Sequence, residues 1–307
     1  MYEEQEPLLN GFYEADLPVP TLTRWDPICK CCCFYCNYVS SMQSYFINHW
    51  MVHCCPGIFV IILTIISATI YGFFVIPYLP FSSIVVHTLI FFFAIMFLVS
   101  YMMVIIEGPG YLPFYYPMEL NDMNDPCAKY LSGVVSNMEQ EAYVKSQPKL
   151  KRAGYFNKAK RYVIRPDHFC GWTGTFIGKR NHKMFFHFNI WGSLYLFSYL
   201  ILISLSIYNN VTTKFAVNQI LICFPMIFTA LPFVFMTIAF TVDIIHSFSK
   251  NQTQFERMQY LDTNYSKGSC LANWEEVCGP SSKWYCWLIP YPPFQESDPV
   301  LYQMNAL

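Results

Sequence analysis

Charge is the scarcest component of this sequence: Asp, Glu, Lys and Arg make up only 13% of the 307 residues, against about 25% in an ordinary soluble domain. None of the four occurs between Lys30 and Glu107, between Lys183 and Lys214, or between Lys214 and Asp243. A soluble globule of this size needs charge over its whole surface. The gaps therefore exclude an ordinary soluble enzyme, a disordered chain and a secreted disulfide scaffold. They predict an all-α polytopic membrane protein.

Four apolar segments occupy the uncharged gaps, and each is long enough for a membrane-spanning helix, which needs about 20 residues. The segments cover about Ile58–Leu79, Ile84–Ile106, Phe186–Tyr208 and Ile220–Val242. Turn residues separate the first from the second and the third from the fourth, so the sequence predicts two helical hairpins. No segment contains Asp, Glu, Lys or Arg, which argues against a transporter or channel, whose sites usually need such residues.

The basic residues are concentrated in one connection, because residues 107–183 hold 12 of the 19 Lys and Arg residues. Positively charged loops stay on the cytosolic side, so both termini and this loop are predicted to be cytosolic. The Asn210-Val211-Thr212 sequon then lies on the opposite side, so close to the membrane that we expect rare glycosylation. The predicted parts are a cytosolic N-terminal segment, a first hairpin, a cytosolic loop, a second hairpin and a cytosolic C-terminal cap, at 1–52, 53–106, 107–185, 186–243 and 244–307.

The end of the long loop contains Asp167, His168 and Cys170 within four residues. A thiol becomes a nucleophile when a neighbouring base takes its proton, and a carboxylate on the other ring nitrogen orients that base. The three residues are therefore candidates for a nucleophilic unit in which Cys170 attacks, His168 is the base and Asp167 orients it. An Asp-His-x-Cys string also occurs by chance in polar loops, so the surrounding sequence has to decide.

Four stretches around this unit carry further recognisable residues, each at a membrane boundary. They are Pro109-Gly110, Asp167–Trp172 followed by Ile177-Gly178, Asn181 and Phe185, then Asn251–Glu256, and finally Gly268 with Asn273–Gly279. In order and spacing they resemble the DHHC protein S-acyltransferase family over about residues 50–290. The departures are Gly108 for Asp, Phe169 for the second His of the tetrapeptide, and Gln254 for a Thr expected to hydrogen-bond the Asp-His pair.

The resemblance implies a protein S-palmitoyltransferase that moves a fatty acyl group from palmitoyl-CoA to cysteines of substrate proteins. Cys170 maps to the family's nucleophile, which carries the acyl group as a thioester, while His168 and Asp167 map to its base and orienting residue. Trp172 is expected near the mouth of an apolar groove for the acyl chain. The family's structural motifs map to Thr253, Gln254, Glu256 and Asn273.

The loop lacks the zinc ligands that the resemblance implies. The family binds two zinc ions here, but the ligand positions nearest the motif hold Tyr155, Phe156, Ala159, Tyr162, Phe169 and Phe176. Cys127 is the only cysteine of the loop besides Cys170, so no structural zinc is predicted. The aromatic replacements are expected to pack as a small core instead. The alternative is a loose loop and an inactive membrane adaptor, a pseudoenzyme.

A basic run from Lys145 to Arg165 contains eight Lys or Arg residues and no acid. One interpretation is attraction to anionic lipid at the cytosolic surface. The sharper interpretation is that part of the run binds the phosphates of coenzyme A, with candidates at Arg152, Lys158, Lys160 and Arg161. Nothing else favours nucleic acid, so the predicted partners are the lipid bilayer and substrate proteins with membrane-proximal cysteines.

The N-terminal segment contains a cysteine cluster and a sorting-like string. The cluster, at Cys29, Cys31, Cys32, Cys33 and Cys36, has no regular zinc spacing, and the cytosol disfavours disulfides. We interpret it as an S-acylated membrane anchor; plain membrane-facing cysteines are the alternative. The string Glu4–Leu9 fits an acidic dileucine signal. It points to an endosomal, lysosomal or vacuolar membrane within an endomembrane system that also includes the Golgi, the ER and the plasma membrane.

Overall fold

The structure is a computed structural model that describes residues 56–110, 152–156, 161–259 and 265–293, together with the backbone of four strands between residues 29 and 52. The side chains of Pro56 and Arg161 are not described. The predictions for the N-terminal cysteines, the dileucine string, Lys158, Lys160 and the Arg161 side chain therefore lie outside the described residues.

Four long helices form the body of the protein. They are α1 (Pro56–Ile70, continued by a π turn at Tyr71–Val75 and a 3₁₀ turn at Ile76–Tyr78), α2 (Ile84–Glu107), α3 (His182–Thr213) and α4 (Val217–Lys250). All four elements are long and apolar enough to cross a membrane. Helix α3 packs against both α2 and α4. The predicted polytopic architecture of two helical hairpins is thus confirmed.

The third and fourth helices continue past the apolar segments that predicted them. Helix α3 begins at His182 rather than about Phe186, and α4 ends at Lys250 rather than about Val242. Their 32 and 34 residues correspond to about 48–51 Å at 1.5 Å per residue, whereas the hydrocarbon core is about 30 Å thick. The apolar segments of the sequence therefore mark only the part of each helix that matches the thickness of the bilayer. The extensions are stabilised by the loop and the tail that pack on them.

Polar side chains join the two hairpins at the end opposite the long loop. The Asn210 amide donates to the carbonyl of Ala216 and to Gln219 Oε1, both at 2.9 Å. The Gln219 amide donates in turn to Ser206 Oγ and to the carbonyl of Phe74 in the π turn, both at 3.1 Å. The sequon side chain of Asn210 is fully buried in this network, which supports the expectation of rare glycosylation.

Short β-strands accompany the helices, and the all-α prediction did not include them. Four antiparallel strands follow one another near the N-terminus: β1 (Cys29–Cys31), β2 (Phe34–Val39), β3 (Ser44–Ile47) and β4 (Trp50–Val52). Two hairpins form in the long loop: β5 (Ala153–Phe156) with β6 (Arg161–Ile164), and β7 (His168–Cys170) with β8 (Thr175–Ile177). Strands this short carry too few residues for an alternating pattern to be recognised in sequence.

The loop hairpins meet the end of α2 where three backbone segments cross. The N–H of Ile164 donates to the carbonyl of Gly110 at 3.1 Å, and the N–H of Arg180 donates to that of Pro109 at 3.2 Å. A Cβ on Gly178 would lie 2.6 Å from the oxygen of Pro109 and 3.0 Å from that of Ile164. Only glycine permits this approach, so the Pro-Gly and Ile-Gly stretches, distant in sequence, meet in space.

The C-terminal residues fold back as a cap on the ends of α3 and α4. The cap contains α5 (Gln254–Met258), α6 (Cys270–Cys278) and a 3₁₀ segment (Ser281–Leu288). Trp274 packs edge-on against Phe248 at 5.2 Å between ring centres and stacks on Trp287 at 6.4 Å. The Lys183 ammonium donates to the carbonyl of Tyr291 at 2.8 Å. These contacts hold residues 265–293 against the helix extensions.

Gly178→Ala is expected to lower the Tm of the detergent-solubilised protein, because its Cβ would press on two backbone carbonyls that have no room to move. Overpacking of this kind typically costs about 1–3 kcal/mol. A thermal melt measures the shift, and Gly72→Ala is the control, since a Cβ at Gly72 meets nothing within 4 Å. Equal Tm values for the two variants would contradict the crossing described above.

Candidate active site

Asp167, His168 and Cys170 lie together at β7, with Asp167 immediately before the strand. His168 Nδ1 donates to Asp167 Oδ2 at 2.8 Å, which places a proton on Nδ1 and leaves Nε2 for another partner. Cys170 lies two residues further along the strand and therefore on the same face. Its thiol interacts electrostatically with the His168 ring. Asp167 and Cys170 thus both act on the ring of His168, as the sequence suggested.

Burial and hydrogen bonding have opposite effects on the ionisation of the thiol and the imidazole. Burial alone would raise the pKa of Cys170, which is 5% exposed, but the hydrogen bond and charge of His168 outweigh it and lower this pKa. Burial alone would lower the pKa of His168, but hydrogen bonds with Asp167 and Cys170 outweigh it and raise this pKa to about 10. Both shifts favour the ionised forms, a Cys170 thiolate and a His168 imidazolium.

The Asp167 carboxylate is buried and is contacted on both oxygens. Oδ2 accepts from His168, and Oδ1 accepts from the backbone N–H of Gln254 at 2.8 Å. Burial opposes the charged form, but contacts with His182, with His168 and with this N–H hold the pKa of Asp167 well below its usual range. Asp167 is therefore ionised and fixes the orientation of the His168 ring.

The contact from position 254 comes from the backbone, so the side chain there is not needed for it. Thr253 caps α5: its Oγ1 accepts from the N–H of Glu256 at 3.2 Å, and Glu256 Oε2 accepts from the N–H of Thr253 at 2.8 Å. Gln254 is then the first helical residue, and its N–H has no partner inside the helix. That free donor points at Asp167. The Gln substitution, which raised doubt in the sequence, leaves the hydrogen bond in place.

Arg152 requires a correction, because its guanidinium is engaged inside the protein. It forms a bidentate salt bridge with Glu256, with Nε–Oε1 at 2.8 Å and Nη2–Oε2 at 3.0 Å. It also donates to the side chain and the carbonyl of Asn251 and lies over the Tyr265 ring. The side chain is only 4% exposed. These contacts use four of the five guanidinium N–H donors, and the buried side chain is not accessible to coenzyme A, so Arg152 joins the loop to α5 instead.

Arg165 and His182, which the sequence analysis did not single out, lie directly behind Asp167. Arg165 is 1% exposed, and its guanidinium donates to His182 Nδ1 at 3.1 Å and to Asn251 Oδ1 at 3.2 Å. His182 Nε2 lies 3.8 Å from Asp167 Oδ1. In the sequence, Arg165 is only the last member of a basic run and His182 only the start of a helix, so no pattern marked either residue.

Buried polar contacts join the tail to the loop and to α4. The Asn273 amide donates to the carbonyl of Ser249 at 2.7 Å, and its Oδ1 accepts from the N–H of Lys267 at 2.7 Å. The Lys179 ammonium donates to the carbonyl of Glu276 and lies 3.4 Å from Oε1 of the same residue. Asn273 therefore lies in the supporting structure, away from the thiol.

An apolar cavity between the helices opens beside Trp172. The cavity encloses about 740 Å³ including its opening and is lined by side chains from all four long helices. The Trp172 ring packs edge-on against Phe233 at 5.7 Å between centres. At another part of the wall, Ser67 Oγ and Tyr195 Oη are hydrogen-bonded at 2.7 Å. Trp172 follows Cys170 by two residues, so the wall of the cavity includes a residue of the β7–β8 hairpin that carries the thiol.

Aromatic rings fill the positions where the resemblance implies zinc ligands. Phe156 packs against Phe176 at 4.6 Å and against Phe255 at 5.2 Å, and Phe169 contacts Phe176 at 5.1 Å. Aromatic carbons do not coordinate zinc. Within the described ranges, no group of three or more His, Cys, Asp or Glu side chains is placed to hold a metal. The residues present do not fit a zinc ion, and the absence of zinc stays a prediction.

Comparison with known proteins finds similarity to one family over part of the chain. A family model described as DHHC palmitoyltransferase matches residues 137–261, which include the Asp167–Cys170 unit and α5. This part of the chain is therefore similar to the DHHC palmitoyltransferase family. The DHHC match ends before most of the tail, whose contacts with the matched region come from the structure alone.

Several similar proteins have the name Palmitoyltransferase PFA3. The Saccharomyces cerevisiae protein is 28% identical over 155 residues, which are 43% of this chain and 45% of the relative. The Candida glabrata protein is 27% identical over 237 residues, 64% of this chain and 69% of the relative. The Candida albicans protein is 21% identical over 244 residues, 63% of this chain and 64% of the relative. The first match thus spans less than half the length of the relative.

Gln254→Pro is expected to slow the alkylation of Cys170 by iodoacetamide at neutral pH by about tenfold, because a hydrogen bond to a charged group is lost. Proline is tolerated at the first helical position, and Thr253 already has the extended conformation, φ −80° and ψ 163°, that precedes proline. The substitution therefore removes the N–H without breaking the helix and puts the proline Cδ in its place, which displaces the Asp167 carboxylate. With Asp167 held less firmly, the His168 charge stabilises the thiolate less and the pKa of Cys170 rises.

Mass spectrometry of the Cys170 peptide measures this alkylation rate against pH. Gln254→Ala is the matched control, because it removes the side chain and keeps the N–H, and its rate should equal that of the wild type. If Gln254→Ala and Gln254→Pro react equally fast, the contact with Asp167 does not depend on the backbone donor.

Proposed function

We propose that this chain is a protein S-palmitoyltransferase that moves a fatty acyl group from palmitoyl-CoA to cysteines of substrate proteins. One observation carries the proposal: Asp167 is hydrogen-bonded to His168, the His168 ring acts on the Cys170 thiol, and Trp172 of the same hairpin lines an apolar cavity between the membrane-spanning helices. A nucleophilic thiol and a site for a long apolar chain are the two things that this reaction needs. The names of the similar proteins, Palmitoyltransferase PFA3, agree with this chemistry.

The first half-reaction loads the acyl group onto Cys170. Its thiolate attacks the carbonyl carbon of palmitoyl-CoA, and a new S–C bond forms while the bond from that carbon to the coenzyme A sulfur breaks. The His168 imidazolium gives its proton to the departing thiolate, while Asp167 stays ionised and keeps the Nδ1–H oriented. The ion pair is lost as pH rises through the pKa of His168, about 10, so loading declines there.

The second half-reaction delivers the acyl group to the substrate. His168, now neutral, accepts the proton of the substrate's cysteine thiol, and the resulting thiolate attacks the Cys170 thioester. A new S–C bond to the substrate forms as the bond to Cys170 breaks, and Cys170 leaves as a thiolate beside the restored imidazolium. The covalent intermediate divides one difficult transfer into two easier steps.

The cavity supplies the binding energy for the acyl chain. Each methylene group that leaves water contributes about 0.8 kcal/mol. Phe188 and Tyr199 of α3 both line the cavity, and their separation of eleven positions corresponds to about 16 Å of helix. A cavity of that depth suits a long acyl chain, whose carboxyl end then lies near Trp172 and Cys170.

An inactive adaptor that keeps the fold is the alternative function. The geometry of the site argues against it, because Asp167 is hydrogen-bonded to His168 and the His168 ring acts on the Cys170 thiol although the mapped zinc-ligand positions have changed. The pKa of the thiol is lowered and that of the imidazole is raised. An adaptor has no use for a thiol activated in this way, so the enzyme is the better-supported reading.

The membrane topology and the substrates follow from the position of the site. The excess of Lys and Arg in residues 107–183 supports a cytosolic loop and cytosolic termini. Cys170 lies near the ends of α2 and α3, so a substrate cysteine has to reach the membrane surface, which favours substrates with membrane-proximal cysteines. The string Glu4–Leu9 favours an endosomal, lysosomal or vacuolar membrane. The cysteines in 29–36 remain candidates for S-acylation.

Part of the basic run remains proposed as the binding site for coenzyme A. With the guanidinium of Arg152 engaged by Glu256, the candidates are Lys158, Lys160 and Arg161. All three precede the catalytic hairpin in the sequence, and charge-assisted hydrogen bonds to phosphate are among the stronger polar contacts in proteins.

Purified protein incubated with labelled palmitoyl-CoA is expected to take up hydroxylamine-sensitive label, and Cys170→Ser is expected to lose the label on that peptide, because the thioester cannot form without the thiol. Cys270→Ser is the matched control, since that cysteine is exposed in the tail helix α6. Replacing the cysteines in 29–36 separates any label on the N-terminal cluster. The enzyme reading fails if Cys170→Ser keeps the full label and no substrate protein is modified.

Ala230→Phe is expected to shift the preference of the protein toward shorter acyl chains, because Ala230 lines the cavity and is nearly buried. Filling the space of two methylene groups should disfavour palmitoyl by about 1.6 kcal/mol, or about tenfold, against lauroyl. Competition between palmitoyl-CoA and lauroyl-CoA measures the preference. Leu221→Phe on the outer face of α4, where the side chain is 68% exposed, is the control. An unchanged preference in Ala230→Phe would place the acyl chain elsewhere.

A further inference from the structure

His182 is a fully buried histidine beside the reacting groups that the mechanism above does not use. We propose that His182 is a positioning residue: it is neutral, Arg165 fixes its tautomer, and its Nε2–H faces the second oxygen of Asp167. In that role it keeps the carboxylate oriented so that the other oxygen stays on His168. The inference rests on the proposed acyl transfer and adds a residue to it.

The tautomer of His182 follows from its partner. Arg165 Nη1 lies 3.1 Å from His182 Nδ1, and a guanidinium can only donate. Nδ1 must therefore carry the lone pair, which leaves the proton on Nε2 and the ring neutral. Arg165 is itself held by Asn251 Oδ1 at 3.2 Å and is 1% exposed, so it has little freedom to release the ring.

The remaining nitrogen of His182 is a buried donor that points at a carboxylate. Nε2 lies 3.8 Å from Asp167 Oδ1, and it has no hydrogen-bond partner among the residues that the structure describes. A buried N–H without a partner is costly, so its position opposite a negative charge is informative. The distance is long for a hydrogen bond, and such contacts in free enzymes often tighten when substrate binds.

The two oxygens of Asp167 therefore have separate partners. Oδ2 accepts from His168 Nδ1 at 2.8 Å, whereas Oδ1 accepts from the N–H of Gln254 at 2.8 Å and faces His182. A carboxylate fixed at Oδ1 cannot rotate away from the catalytic histidine. The arrangement forms a chain of side chains that runs from Arg165 through His182, Asp167 and His168 to the thiol.

The surroundings of His182 leave few other groups that influence its charge. The Phe248 ring of α4 meets its ring edge-on at 4.8 Å between centres. The charged or titratable groups that act on it are Arg165, Arg152, Asp167 and His168, all from the loop. The hairpin of β7 and β8 explains how His182 arrives there: the N–H of Asp167 donates to the carbonyl of Ile177 at 2.8 Å, which brings the start of α3 beside Asp167.

The two nitrogens of His182 can be tested separately by substitution. His182→Asn places an acceptor near the position of Nδ1, so it keeps the contact with Arg165 and loses the donor toward Asp167. His182→Gln reaches the position of Nε2, so it keeps that donor. His182→Phe keeps the ring packed on Phe248 and loses both nitrogens. His187→Asn is the matched control, because His187 is another buried histidine of α3 whose Nδ1 accepts from Trp191.

The readout is the initial rate of label uptake from palmitoyl-CoA against pH, with Tm measured in parallel. His182→Asn and His182→Phe are expected to lose about tenfold in rate, the size expected for losing a donor to a charged group. In these two variants, the pH range over which the rate is constant should narrow on both sides, because a misplaced Asp167 lowers the pKa of His168 and raises that of Cys170. His182→Gln and His187→Asn should keep both the acidic and the basic side of the wild-type pH–rate profile.

Several results would overturn the proposal. If His182→Asn and His182→Phe stay folded and the acidic and basic sides of their pH–rate profiles do not shift, then Nε2 does not act on Asp167. If His182→Asn and His182→Gln lose the same fraction of the rate, have a lowered Tm and keep the wild-type positions of both sides of the pH–rate profile, then His182 has only a structural role. If the wild type takes no label, the proposed function fails separately. The pH dependence of Cys170 alkylation by iodoacetamide then gives the same comparison of variants without any acyl donor.

Discussion

The buried carboxylate of Asp167 is the constraint on which the rest of the site depends. An ionised group removed from water is stable only when donors surround it, and three parts of the chain supply them. The hairpin β7–β8 brings His168, the first residue of α5 brings the N–H of Gln254, and the start of α3 brings His182 with Arg165 behind it. Loop, tail and helix extension therefore have to assemble before the charge is satisfied, and the thiolate depends on that charge through His168.

The same assembly is held by forces that need no metal. Arg152 and Glu256 pair across 104 positions of sequence, and Lys179 binds Glu276 of the tail. Between these contacts, Phe156 and neighbouring rings pack where the family resemblance implies zinc ligands. Buried ion pairs are strongly destabilising when one partner is removed, and aromatic rings bury large apolar areas. Together they tie the loop to the tail and to the helices, which is the role that a structural metal would otherwise have.

Particular residues show how far sequence reasoning reached. The absence of charge located all four spans, because the bilayer excludes charged side chains whatever the tertiary fold. Cys170 with His168 and Asp167 was recognisable because the three lie within four residues and their contact is local. Arg152 was misjudged, because a basic run shows positive charge but not the distant Glu256 that satisfies it. His182 gave no signal, since its partners Arg165 and Asp167 are 17 and 15 positions away and meet it only after the hairpin has formed. Gln254 in place of Thr suggested that a hydrogen bond to the Asp-His pair was lost, but the structure shows that the backbone N–H of Gln254 donates to Asp167.

Local composition and neighbours along the chain were enough to predict the number of spans, the two hairpins and the three residues of the candidate nucleophilic unit. Contacts between distant segments define where α3 and α4 begin and end and which side chains face each oxygen of Asp167. They also define which arginine is buried in an ion pair and how side chains of four helices enclose a cavity beside Trp172. The physical reason is the same in each case: a buried charge or an apolar cavity is defined by atoms that surround it in space, and those atoms come from segments that are far apart in the chain.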